Sequence, residues 1–187
     1  MSLPQPSKRP LTVEEYHWMG RVGIIGPEER VELQAGEIYA MPPIGPSHAG
    51  SVNATSESLR EVSARRYFVS VQNPVRLDEY TEPIPDIALL RWRDDFYRFA
   101  HPTPADIFLV VEVADSTVKS DRSHKIPLYA RAGIPETWLV NLPGRRVELH
   151  AEPVNGVYQV VRVWQPGETV QAHTLPELRL SVNEILG

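Results

Sequence analysis

Glu32, Asp86, Glu112 and Lys125 are the residues of this chain whose types and surroundings suit a chemical task. Asp86 follows Pro85 and opens the apolar run Asp86-Ile87-Ala88-Leu89-Leu90. Glu112 closes the run Ile107-Phe108-Leu109-Val110-Val111. Carboxylates at two strand ends can hold a hard divalent cation, and a nearby ammonium can steady the charge of a phosphoryl transition state. The start of one strand and the end of the next are neighbours if the two run antiparallel. Glu112 shares a strand face with Ala114. It therefore interrupts an apolar run, where a charge is costly unless paired or metal-bound. Asp121, Lys125 and Tyr129 are spaced i, i+4, i+8 on one helix face, and their plain reading is a surface Asp–Lys pair with Tyr129 beside it. Glu32 lies between Val31 and Leu33. With those two turned to the core, alternation turns Glu32 to solvent.

The elements that must position these residues read as one mixed α/β domain over residues 11–187. Residues 1–10 carry Pro4, Pro6 and Pro10 and form a flexible lead-in. Thr12 with Glu15 is a capping box that opens a short helix through Met19. After a loop with Gly20, Gly23, Gly26 and Pro27, Arg30 to Gln34 and Glu37 to Met41 alternate about Ala35-Gly36, a β-hairpin. Residues from about Ser47 to Ala64 read as a helix with the stripe Val52, Leu59 and Val62. Tyr67 to Val71 is a strand, with Val75-Arg76-Leu77 continuing it or forming the next. Strands then start at Asp86 and Ile107, separated by an exposed stretch from Arg91 to His101 with some helix. These two are the most apolar strands, hence central. A second helix covers about Asp121 to Ala132 and stops at Gly133 before Pro135. Strands follow at Thr137 to Asn141, Val147 to His150 and Val157 to Val161, the last two joined by Asn155-Gly156. A short helix, Val182 to Leu186, ends the chain.

Composition excludes several classes. With no cysteine, disulfides and thiolate metal sites are ruled out, which fits a reducing cytoplasm. No apolar run approaches the roughly 20 residues of a membrane span, and residues 1–10 lack the apolar core of a secretory signal. The net charge of −5 argues against a broad nucleic-acid-binding surface. A local basic groove remains open to Arg60, Arg65, Arg66 and Arg76, or to Arg91, Arg93 and Arg98, though solvated surface is the plainer reading of both sets. Trp92, Phe96 and Tyr97 could stack on bases or form a hydrophobic lid. His48, His101 and His124 are dispersed and form no zinc motif. His48 could approach a phosphate, but a polar residue at a helix start is the plainer reading.

The chain resembles the PD-(D/E)XK nuclease superfamily, and within it the Uma-type family of restriction endonucleases. The resemblance rests on Arg30 to Glu37, Asn73-Pro74-Val75-Arg76-Leu77, Glu82 to Ala88, Leu109-Val110-Val111-Glu112-Val113, and above all Lys125 to Glu136. It implies a restriction-endonuclease-like core, helix–strand–strand–strand–helix–strand, with extra strands at the ends and two main flanking helices. It also implies Mg²⁺ or Mn²⁺ bound by Asp86, Glu112 and the backbone carbonyl of Val113, with Glu32 as the auxiliary carboxylate and Lys125 as the catalytic lysine. DNA is the implied substrate, and a homodimer the usual way to cut both strands. One departure stands out: Ala114 occupies the place of the usual lysine two residues after the glutamate. If Lys125 does not reach the same space, the alternative is an inactive nuclease-fold binding or assembly module. A carboxylate-pair glycosidase, with its two groups about 5–9.5 Å apart, leaves the Lys125 block without a role.

Overall fold

The computed structural model describes residues 8–187, so most of the expected lead-in lies outside the described residues. A sheet of six strands forms the centre. They are β3 (Tyr67–Val71), β4 (Ile87–Arg91), β5 (Ile107–Ala114), β6 (Glu136–Asn141), β7 (Arg146–Val154) and β8 (Val157–Trp164), in that spatial order. The β5–β6 pair is parallel and the others are antiparallel. A parallel pair needs a crossover, and here the connection carries the second helical segment.

Both faces of the sheet are covered, which makes the class mixed α/β. One face takes α2 (Pro46–Ser63) and α5 (Val182–Leu186), with Val52, Leu59, Ile185 and Leu186 packed on Ile87, Leu89, Leu109, Val111 and Val113. A two-stranded ribbon, β9 (Thr169–Gln171) with β10 (Arg179–Ser181), extends that layer. The other face takes α4 (Ile126–Arg131), with Ile126, Leu128 and Tyr129 among Ala88, Leu90, Val110, Ala114 and Leu139. Alternate residues of β5 thus serve two cores, as the period of two requires.

The first helix, α1 (Val13–Arg21), starts on the expected capping box: Glu15 donates its amide to Thr12 and Thr12 donates its amide to Glu15. The hairpin β1 (Val31–Gln34) and β2 (Glu37–Ala40) closes through Ala35 and Gly36, both at positive φ, the turn that matches strand twist. Val75 to Leu77 is not a strand; Val75 and Leu77 donate instead to the carbonyls of Pro83 and Thr81. The stretch after Arg91 contains turns, with one 3₁₀ turn at Pro104–Asp106.

The second helical segment differs most from its expectation. It begins at α3 (Val118–Ser120), widens into a π-turn over Asp121–Lys125, and returns to α-geometry in α4. Ile126 donates its amide to the carbonyl of Asp121, five residues back. Pro127 supplies the cause. It has no amide to give, and its ring would press on the carbonyl four residues earlier, so the helix opens by one residue there.

Candidate active site

Continuing the β4–β5 register beyond Ile87↔Val111 sets Asp86 opposite Glu112 at one end of the sheet. Around them opens a cleft of about 350 Å³, lined by the β1–β2 hairpin, the start of α2, the end of β5 and the π-turn. Each of the four singled-out side chains reaches it, although they come from four different elements.

Glu32 does not face solvent. It and Glu112 are each 3% exposed. Alternation turns Glu32 outward only where one strand face is wet, and β1 is covered on both. Leu33 pairs with Glu82 on the covering segment, and Glu32 turns into the cleft. There it accepts from Gln34 Nε2 at 2.7 Å and from the Ile84 amide at 2.9 Å. Lys125 Nζ stands 3.4 Å from Glu32 Oε1 and 3.3 Å from Glu112 Oε1. Its ammonium therefore bridges two buried glutamates that are 80 positions apart in sequence. Asp121 is buried as well and is held by Thr117 Oγ1 at 2.6 Å, so the expected exposed Asp–Lys pair does not form.

Asp86 has a different set of donors. His48 Nε2 lies 3.1 Å from Oδ2, the Val113 amide donates to the same oxygen at 2.9 Å, and Gln72 Nε2 donates to Oδ1 at 3.2 Å. Burial works to raise this carboxyl, but His48 and these donors hold it below its ordinary value. The same contact raises His48 above the usual imidazole range, against the burial that would lower it.

Glu112 is the opposite case. Burial, together with Asp86, Asp121 and Glu32, pushes its carboxyl up to about 8 against the pull of Lys125. Lys125 itself is raised, because its two glutamates outweigh the burial that would lower it. Tyr129, fully buried, donates its hydroxyl to Glu112 Oε1. A pocket with this many carboxylates and so few cations carries excess negative charge. The oxygen donors present fit a hard divalent ion.

His48, Asp121 and Tyr129 stand out in the sequence, Asp121 and Tyr129 as neighbours of Lys125; Gln34 and Gln72 do not. Gln34 had one available signal: it lies two positions from Glu32 and so shares its strand face. Gln72 had none, since its reach to Asp86 follows from a left-handed backbone (φ 50) just after β3. None of the arginines of the two candidate basic sets lines the cleft. Arg60, Arg66, Arg76 and Arg93 each face a carboxylate, of Glu57, Glu177, Glu14 and Asp95 respectively, and Arg30 is the arginine that lines the cleft. Trp92, Phe96 and Tyr97 gather edge-on and tilted about Phe68, a hydrophobic cover.

The family model described as "Uma2: Putative restriction endonuclease" matches residues 13–183. The chain belongs to this family. Uma2 membership makes a nuclease activity the coarse assignment, and the fold agrees with it. The crystal structure of a putative nuclease belonging to DUF820 from Anabaena variabilis ATCC 29413 superposes with a TM-score of 0.71 at 16% identity, covering 95% of this chain and 98% of that one. At that identity the likeness concerns the fold alone. No curated protein matches the chain. No helix among the described residues is long and apolar enough to cross a membrane.

Proposed function

We propose that residues 11–187 act as one metal-dependent DNA endonuclease domain that hydrolyses phosphodiester bonds. One observation carries this reading: Asp86, Glu112, Glu32 and Lys125 converge on one cleft, with the lysine ammonium between two buried glutamates. Asp86 and Glu112 are assigned to hold Mg²⁺ or Mn²⁺. The Val113 carbonyl joins them, because a strand residue's N–H and C=O point to the same side and the Val113 amide already meets Asp86. When bound there, the ion supplies a more acidic water and a polarised phosphoryl oxygen.

The chain's own groups do the rest. His48, Gln72 and the Val113 amide keep Asp86 ionised and aimed. Tyr129 fixes one oxygen of Glu112. Glu32, anchored by Gln34 and Ile84, holds Lys125, whose ammonium orients the attacking water and offsets charge on the phosphoryl oxygens. Cutting both strands calls for two such sites, hence a homodimer, and a cytoplasmic setting suits a chain without cysteines.

Incubation with supercoiled, linear and single-stranded DNA, with Mg²⁺ or Mn²⁺ added after EDTA treatment, tests the reading. The expected result is cleavage by the wild type that falls roughly 10²–10³-fold in Lys125→Ala, the usual loss of one transition-state donor. Glu112→Ala should fall at least as far. Cleavage that persists in both variants places the chemistry elsewhere.

A further inference from the structure

His17, Glu82 and His101 are scattered in sequence, yet the fold brings them together outside the cleft. His17 comes from α1, Glu82 from the segment paired with Leu33, and His101 from the loop before the 3₁₀ turn. One ligand atom from each lies within 4.8 Å of the others. The His17 and His101 rings meet edge to face, with centroids 6.0 Å apart. None of the three lines the cleft around Asp86 and Glu112.

Glu82 is the telling residue. It is 2% exposed. Its Oε1 lies 2.6 Å from His17 Nε2, while Oε2 is sealed from solvent with no hydrogen-bond partner among the described residues. His17 is its one ion-pair partner among them. The neighbouring phenol is already committed, since Tyr16 donates to the Val31 carbonyl. A buried carboxylate left half-satisfied is costly, and a cation removes that cost. The backbone of Glu82 cannot withdraw, because it is tied to Leu33 in both directions.

We propose that His17, Glu82 and His101 bind one divalent transition-metal ion of the zinc class. Two imidazoles and a carboxylate are an established zinc set with a fourth position left for water. Imidazole also selects zinc-class ions over magnesium, whereas the carboxylate and carbonyl ligands assigned in the cleft do the reverse. His101 is exposed, so an ion can enter from solvent and the loop can adjust to it. Bound metal would clasp α1 to the segment whose next residues include Ile84, the amide that holds Glu32. The site would then act as a clasp behind the hairpin.

Tag-free protein, stripped with EDTA and titrated with Zn²⁺ against a chromophoric chelator, tests the assignment. The expected stoichiometry is one ion per chain, with no competition from millimolar Mg²⁺. Affinity should fall in His101→Ala and in His17→Ala by at least the roughly 10–100-fold that even an outer partner of a metal ligand commands. It should be unchanged in Asp86→Asn and Glu112→Gln. His101 is a loop residue, so its variant keeps the fold, which circular dichroism checks. Absence of Zn²⁺ binding by the wild type, or unchanged affinity in His101→Ala, overturns the site. Loss of Zn²⁺ affinity in the cleft variants also overturns it by placing the ion there.

Discussion

Two fully buried glutamates in this protein face opposite situations. Glu136 accepts from Trp138 Nε1, from the amides of His173 and Thr174 and from the Thr174 hydroxyl. Among the described residues Glu112 has only Tyr129 and Lys125, and three other carboxylates bear on it. Burial alone therefore marks neither as reactive; the difference lies in uncompensated charge. A free glutamate titrates near 4.5, and Glu112 near 8, so between these values the folded state binds the extra proton. Stability then falls as pH rises across that window, on the order of a few kcal/mol at most. His48, whose folded value is raised, adds a loss of the same sign, so the comparison must be with Glu112→Gln, which removes the Glu112 share alone. Melting temperatures from pH 5 to 9 in EDTA should slope downward more steeply in the wild type than in Glu112→Gln, and Mn²⁺ should flatten the wild-type curve. Equal slopes would mean that Glu112 is ionised throughout. Tyr129→Phe, which leaves a buried carboxylate short of a donor, should lower stability by about 1–3 kcal/mol in urea unfolding and move the cleavage pH profile to higher pH.

At the level of elements, what was legible followed local chemistry. The Thr12–Glu15 box, the hairpins at Ala35-Gly36 and Asn155-Gly156, the apolar run into Glu112 and the stop at Gly133 each carry their cause in a few adjacent residues. What was not legible depends on residues far away. Glu32 is buried because Glu82 and its neighbours cover β1, and alternation within β1 cannot reveal a cover. The π-turn could have been suspected from Pro127, but a proline there also reads as an ordinary first-turn residue. Strands β9 and β10 have three residues each, too few for a period to register. The hairpin's fit to its surroundings can be tested through glycine. Gly36 and Gly133 have similar φ, 78° and 74°. A β-carbon at Gly36 would collide with Pro10, whereas one at Gly133 meets nothing within 4 Å. Gly133→Ala should cost only the left-handed strain of about 1–2 kcal/mol. Gly36→Ala should cost measurably more by chemical denaturation. It should also reduce cleavage, because the strand it displaces carries Glu32. Equal costs would show that Pro10 yields freely.

The whole molecule presents a substrate polyanion with a negative target. The chain carries a net charge of −5, and Glu32, Asp86, Glu112, Asp115 and Asp121 line one cleft with Lys125, Arg30 and two histidines. Several arginines that might have offset this are spent elsewhere: Arg122 and Arg146 both meet Glu148, and Arg76 meets Glu14. Under the proposed function, DNA approaching the cleft would be repelled until a divalent ion offset the carboxylates, so affinity for DNA should itself depend on metal. Anisotropy of a labelled duplex at low salt, in EDTA and then in Ca²⁺ (an oxygen-seeking ion chosen to slow the chemistry), measures this dependence. The expected gain is at least about tenfold, the effect of roughly 1.4 kcal/mol. Asp86→Asn should bind DNA better than the wild type in EDTA, having lost one repelling charge, and should lose most of the Ca²⁺ gain. With few basic contacts to phosphate, the salt dependence should stay shallow, near the slope of about −0.9 per contact for two or three contacts. Tight binding in EDTA with a steep salt slope would instead mean that DNA is gripped by a basic surface away from the cleft, and that the carboxylates take no part in bringing it in.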